Sequence, residues 1–299
     1  MQRRSGHENY HYDIDSWWPF GRIQAVSKLS GNATLVVTDT GHFIVKTKDA
    51  AQVSREENIL RHLNGKGVST HKLLHTEQFM DGAVVCVYSY LEGAAPENVL
   101  SCGRGLGIAI AELQEALSDL NDANVPIRSL YDTIYGWVLE STSTCDDRKI
   151  RDVEYLLNEL RPQMHVLREL PRQIIHRDAH PGNMIFDQGQ FVGFVDFDIV
   201  ENNIRLFDPC YCAASALPTE FNKKEFPSDW LAFTRDIFGG YERLIPLSGA
   251  ERGAIPYILI GIEALFTALF IKSAPEVARQ NASICLWLAD MREEIQHHL

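Results

Sequence analysis

Residues 176–183 read His176-Arg177-Asp178-Ala179-His180-Pro181-Gly182-Asn183, and after a short apolar stretch the chain continues Phe194-Val195-Asp196-Phe197-Asp198. An apolar strand (Gln173-Ile174-Ile175) enters the first run, and Asn183-Met184-Ile185-Phe186 leaves it as a second strand. The turn Asp187-Gln188-Gly189 then leads to a third, Phe191 to Val195, which delivers Asp196. Asp178, Asn183 and Asp196 therefore flank one hairpin. A carboxylate able to take a hydroxyl proton, beside an amide and a second carboxylate able to hold Mg²⁺ on nucleotide phosphates, is the set that phosphoryl transfer requires. Taken singly, Asp178 reads as a turn-forming residue and Asn183 as a strand-start cap. That reading leaves unexplained why all three flank the same hairpin.

Phosphoryl transfer also needs a cation on the phosphates, usually a strand lysine held by a helix glutamate. Leu35-Val36-Val37-Thr38, the turn Asp39-Thr40-Gly41 and His42-Phe43-Ile44-Val45-Lys46 read as a β-hairpin with Lys46 closing its second strand. In the following segment Val53, Ile59, Leu60 and Leu63 share one helical face, and Glu56 lies close enough to that face to turn toward Lys46. Ala83 to Tyr88 is a near-continuous apolar strand running into Ser89-Tyr90-Leu91. It reads equally as an edge strand or as a strand entering a hinge, where the Ser89 carbonyl and the Leu91 N–H would meet an adenine edge. No G-x-G-x-x-G run precedes Lys46, and Ser30-Gly31-Asn32-Ala33 is the nearest loop whose backbone N–H groups could lie over phosphates. Gly103, Gly105 and Gly107 mimic a dinucleotide fingerprint but open a helix with no strand before it, and are set aside.

The run H-R-D-A-H-P-G-N followed by V-D-F-D resembles the aminoglycoside phosphotransferase and choline kinase family, small-molecule relatives of the protein kinases. The resemblance extends from about Lys46 through Asp208. It implies an α+β, two-lobed protein-kinase-like fold, with a small N-terminal antiparallel sheet and one helix, then a larger, mainly helical lobe. It also implies Asp178 as base, Asn183 and Asp196 as Mg²⁺ ligands, and Lys46 and Glu56 as the phosphate lysine and its partner. Ser89 and Leu91 become the hinge groups, and Asp208 a structural aspartate tied to the loop at 176–183. ATP and Mg²⁺ are the implied cofactors, and a hydroxyl of an aminoglycoside-like or amino-alcohol molecule the implied acceptor.

Arg177 departs from the glycine usual in this family and resembles protein kinases instead, so an atypical Ser/Thr protein kinase is one alternative. The short stretch between Asp196 and Asp208, with no A-P-E element after it, lacks the peptide platform such an enzyme carries. A nucleotide-binding scaffold without transfer activity is the other alternative, and the presence of base, metal ligands and lysine weighs against it.

With 299 residues and 45% apolar content the chain can bury a substantial core. Residues 1–92 are expected to form the nucleotide-binding lobe and 93–299 the catalytic and acceptor-binding lobe. Helices are expected near 105–120, 148–170 (broken or kinked at Pro162), 229–244, 256–272 and 275–299. The apolar stretch 254–271 carries Glu263 at its centre and reads as a bundle helix rather than a membrane span. The first twenty residues hold no apolar signal core, and the six cysteines form no C-x-x-C pair, which together point to a reducing cytoplasm. A net charge of −12 disfavours nucleic acid and anionic membrane as partners. It would also suit a cationic acceptor, although acidic solubility accounts for it as well. Asp198 and Glu263 are the candidate acceptor carboxylates.

Overall fold

The β2–β3 hairpin sets the architecture of the first part of the chain. In the computed structural model, which describes residues 14, 17–29, 31–221, 223 and 226–299, the chain divides into two compact units, Met1–Glu92 and Gly93–Leu299. The first holds β1 (Ile23–Lys28), β2 (Ala33–Thr38), β3 (His42–Asp49), α1 (Ala50–Gly65), β4 (Leu73–Gln78) and β5 (Ala83–Ser89). The strands pair antiparallel in the order β1-β2-β3-β5-β4. Alternation on β2 and β3 sends Val36 and Val45 into a core with Val85 and Val87, against which Trp18, Phe20 and Phe43 pack. Ser30, part of the expected phosphate loop, lies outside the described residues.

Helix α1 begins where Asp49 and Gln52 form a capping box: Gln52 N–H donates to Asp49 Oδ1 (2.8 Å) and Asp49 N–H to Gln52 Oε1 (3.1 Å). Its buried face carries Val53, Ile59, Leu60 and Leu63 together with Glu56. Full burial of Ile59 and Leu63 contributes about 1.5–3 kcal/mol each, before the entropy of ordering is deducted.

The second unit begins with α2 (Gly103–Leu117), α3 (Leu130–Thr133), one π-helical turn (Ile134–Val138), α4 (Leu139–Ser143) and α5 (Arg148–Met164). The strands β6 (Arg172–Ile175), β7 (Met184–Asp187), β8 (Gln190–Phe194) and β9 (Glu201–Ile204) follow. Helices α6 (Phe207–Ala214), α7 (Leu217–Glu220), α8 (Phe226–Tyr241), α9 (Gly249–Phe270), α10 (Pro275–Asp290) and α11 (Arg292–His298) complete it. The strands form two antiparallel ribbons, β6 with β9 and β7 with β8. Each holds one side of the loop at 176–183.

Several boundaries differ from expectation for local reasons. Helix α9 starts seven residues before Pro256, at a capping box in which Glu251 N–H meets Ser248 Oγ (3.3 Å) and Ser248 N–H meets Glu251 Oε2 (3.0 Å). Pro162 sits in the last turn of α5, so it coincides with the helix end rather than a mid-helix break, and the backbone then tightens into a 3₁₀ turn at His165–Arg168. The expected helix 275–299 is two, divided at Met291. Helix α9 is the one helix among the described residues long and apolar enough to cross a membrane, and 72% of its most apolar stretch is buried inside the protein.

Two of the three glycines set aside as a false fingerprint, Gly103 and Gly107, have a packing role. A Cβ on Gly107 would lie 1.9 Å from the Ile237 carbonyl oxygen, and one on Gly240 2.2 Å from that of Arg104. Helices α2 and α8 therefore cross backbone to backbone, a contact only glycine permits.

Candidate active site

The loop at 176–183 is built around a buried carboxylate. Asp208, in the first turn of α6, accepts the His176 N–H at Oδ2 (3.0 Å) and the Arg177 N–H at Oδ1 (2.9 Å). Gln114 Nε2 donates to Oδ2 as well (3.2 Å), and Gln114 is itself fixed by Tyr241 Oη at 2.6 Å. Burial pushes the Asp208 carboxyl up, while the charge of His176 and these hydrogen bonds pull against it. The His176 ring is also fully buried, between the Val195 carbonyl (Nε2, 3.1 Å) and the Asp178 N–H (Nδ1, 3.3 Å). Burial holds its pKa below the usual imidazole value.

With its ends so fixed the chain turns sharply. Arg177 has φ +73° and Asp196 φ +67°, left-handed conformations that cost a non-glycine residue roughly 1–3 kcal/mol unless the surroundings impose them. The turn presents Asp178. Its Oδ2 accepts from Asn183 Nδ2 (2.8 Å) and its Oδ1 from Tyr211 Oη (3.0 Å). Burial and the neighbouring Asp178 charge raise the Tyr211 pKa well above its ordinary value, so the phenol remains a donor. His180 Nε2 stands 3.8 Å from Asp178 Oδ2.

Asn183 uses its amide nitrogen on Asp178, on the side chain at 2.8 Å and on the backbone carbonyl at 3.0 Å, which turns its Oδ1 away from that carboxylate. The Val195 N–H donates to the Asn183 carbonyl (3.0 Å), tying the residue before Asp196 to Asn183. Asp178 and Asn183 are therefore joined by hydrogen bonds, and Asp196 directly follows the residue tied to Asn183. Among the described residues no three of His, Cys, Asp and Glu cluster as a metal cage. An amide oxygen and one carboxylate instead fit a hard cation that keeps waters and phosphate oxygens as its other ligands.

In the first unit, one pairing is corrected. The ion pair of Glu56 is with Lys48 rather than the expected Lys46, and the same Oε2 accepts from Tyr88 Oη (2.6 Å). His71 Nε2 lies 3.5 Å from the other oxygen. Burial raises the Glu56 pKa, but bonding to His71 and the Lys48 and His71 charges outweigh it and leave the group below its ordinary value. Lys46 and Lys48 are both buried and, two residues apart on β3, share a face, so strand periodicity could not separate them. Ser89 ends β5, with its N–H on the Lys72 carbonyl at 2.9 Å, and Leu91 follows, half-buried.

Sequence reasoning missed Tyr211 and Gln114; both lie on helices whose approach to the loop has no local signature. A cavity of about 430 Å³ opens beside the loop, with His180, Pro181 and Gly182 on one wall and Ser215, Thr219 and Glu220 opposite. Neither Asp198 nor Glu263 lines it. Glu263 is 2% exposed in α9, its Oε2 has no hydrogen-bond partner among the described residues, and burial lifts its pKa to about 8.

A five-stranded antiparallel sheet with one helix, followed by a mainly helical unit carrying this loop, is the kinase-like arrangement, and solved structures share it. An amicoumacin kinase bound to AMP-PNP, Ca²⁺ and amicoumacin superposes with TM-score 0.72 at 18% identity, over 95% of this chain and 92% of that one. A choline kinase from Streptococcus pneumoniae gives 0.65 at 16% identity, over 93% and 96%. By sequence, the homoserine kinase of Methylocella silvestris is 26% identical over 280 residues, 86% of this chain and 81% of that enzyme. The homoserine kinase of Phenylobacterium zucineum is 34% identical, but over only 100 residues and 28% of its length. The profile of the phosphotransferase enzyme family matches residues 22–247, and the chain belongs to that family.

Proposed function

We propose that the protein is an ATP- and Mg²⁺-dependent kinase that transfers the γ-phosphoryl group to a hydroxyl of a small amino-alcohol, with Asp178 as the base. The observation that carries this reading is the Asp178 carboxylate, gripped from two sides by Asn183 and Tyr211 on a loop that Asp208 anchors. Such a carboxylate is oriented before substrate arrives, so little reorganisation accompanies proton transfer.

Asp178 receives the acceptor hydroxyl and takes its proton as the oxygen attacks. Asn183, through Oδ1, and Asp196 would hold Mg²⁺, which neutralises charge developing on the phosphates. Lys46 holds phosphate oxygens, and the Lys48–Glu56–Tyr88 cluster keeps its strand and helix together. The Ser89 carbonyl and the Leu91 N–H take the adenine edge. The acceptor enters by the 430 Å³ cavity beside His180, where Glu97 suits an ammonium group and Glu220 is held by Lys223 at 2.6 Å. The homoserine kinases among the relatives support trying homoserine as an acceptor before choline-like alcohols and aminoglycosides. All six cysteines are free thiols, which suits the reducing, ATP-rich cytoplasm.

The test is ATP consumption against a panel of homoserine, choline, ethanolamine and aminoglycosides, with Mg²⁺ or with excess EDTA. Metal-dependent turnover with one amine-bearing alcohol supports the reading. Transfer only to protein substrates would replace it with the protein-kinase alternative.

A further inference from the structure

A second, larger cavity, of about 1010 Å³, lies in the helical unit and shares no lining residue with the one beside His180. Its charge runs against that of the chain. Four arginines (Arg128, Arg168, Arg172 and Arg177) face two carboxylates (Asp132 and Glu201), an excess of two positive charges in a protein of net charge −12. We infer that this cavity is a binding site for a small organic anion, a carboxylate or phosphate carried on an apolar or aromatic body.

The arginines are pre-positioned. Arg177 Nε is 3.0 Å from Glu201 Oε1, with its guanidinium 4.0 Å from the centre of the Phe207 ring. Arg168 Nη2 is 2.6 Å from Asp132 Oδ1 and stacks 4.4 Å from the Tyr131 ring centre. Arg172 donates to the backbone carbonyl of Asn202 (3.1 Å) and to that of Arg128. The Arg128 side chain meets no acceptor among the described residues, and it is the natural first contact for an incoming anion. A planar guanidinium with five donors still has N–H groups to offer after one partner is taken, and it matches a carboxylate or phosphate edge in two bonds. Trp137, Phe207, Leu265 and Leu269 supply the apolar wall. The volume is at the upper end of the roughly 300–1000 Å³ typical of small-molecule sites.

The cavity reaches the proposed base through one stack: Phe207 lies against Tyr211 at 5.9 Å between ring centres, and Tyr211 holds Asp178. The inference stands apart from the phosphoryl-transfer reading, because it concerns other residues and is read without turnover.

Trp137 makes the test local. The chain has five tryptophans, and Trp137 alone lines this cavity. The full-length protein with ¹⁵N-labelled indoles is titrated with phenyl phosphate and, separately, with benzoate, the Trp137 signal being assigned by its loss in Trp137→Phe. A saturable shift of the Trp137 resonance at millimolar ligand is expected, with the tighter probe identifying the headgroup. In the double variant Arg128→Gln/Arg168→Gln, affinity falls about tenfold or more, as expected for lost charge-assisted bonds. In Asp132→Asn, which releases Arg168, affinity rises several-fold, a gain that a merely structural role would not give. No Trp137 shift with either probe at about 20 mM, or affinity unchanged in both variants, overturns the proposal.

Discussion

Glu263 offers the sharpest test of the energetics because it is a buried carboxyl whose pKa is moved by burial alone. It sits in α9 with Oε2 unpartnered, and burial alone lifts its pKa from 4.5 to about 8. The folded protein therefore keeps a proton that the unfolded chain releases above pH 4.5. A raised carboxyl pKa makes stability fall as pH climbs through that window, and the penalty is complete only above pH 8. Three and a half decades of proton affinity correspond to about 5 kcal/mol, an upper figure because local opening would relieve part of it. Glu263→Gln keeps the shape and removes the titration. Urea unfolding followed by helical ellipticity, at intervals from pH 4.5 to 9, should show the two proteins nearly equal at the acid end. The variant should then gain steadily, to several kcal/mol by pH 8.5. A stability difference that stays flat across this range would refute the reasoning and place an ionised, partnered carboxylate at 263.

Three further outcomes follow from the same contacts. Lys48→Met strands the buried Glu56 and should cost about 3–5 kcal/mol of stability, whereas Lys46→Met should chiefly weaken Mg·ATP binding; thermal unfolding beside nucleotide titration reads both, and the reverse ordering would return the Glu56 partnership to Lys46. Tyr211→Phe removes one hydrogen bond to Asp178 and should lower kcat about tenfold while leaving the KM for ATP unchanged, which steady-state kinetics will decide. Asp208→Ala leaves the His176 and Arg177 N–H groups without their acceptor, and the denaturation midpoint should report a loss of about 3 kcal/mol or more.

What could be read from the chain was what is encoded locally. Strand–turn–strand alternation around Asp39-Thr40-Gly41 and around Asp187-Gln188-Gly189 marked both hairpins, and one loop spacing put Asn183 in hydrogen-bond reach of Asp178. What could not be read depends on contacts distant in sequence. Lys46 and Lys48 lie on the same face of one strand, so only the packing of α1 against the sheet selects Lys48 for Glu56. Tyr211 reaches Asp178 from α6, and Gln114 reaches Asp208 from α2, 94 residues away. Edge strands such as β4, with its half-exposed Leu73-Leu74-His75-Thr76-Glu77-Gln78, lack a clean apolar period and take their form from β5. Gly103 and Gly107 are rightly set aside as a fingerprint, but their packing role was not legible, since their need for space comes from α8 across the helix crossing.

Asp178→Asn tests the central claim most directly, with Mg·ATP affinity and single-turnover phosphoryl transfer measured on the same preparation. The account predicts nucleotide affinity unchanged within a few-fold and transfer slowed by about 10²–10⁴, the range lost with a general base. Transfer within a few-fold of the parent enzyme would contradict it.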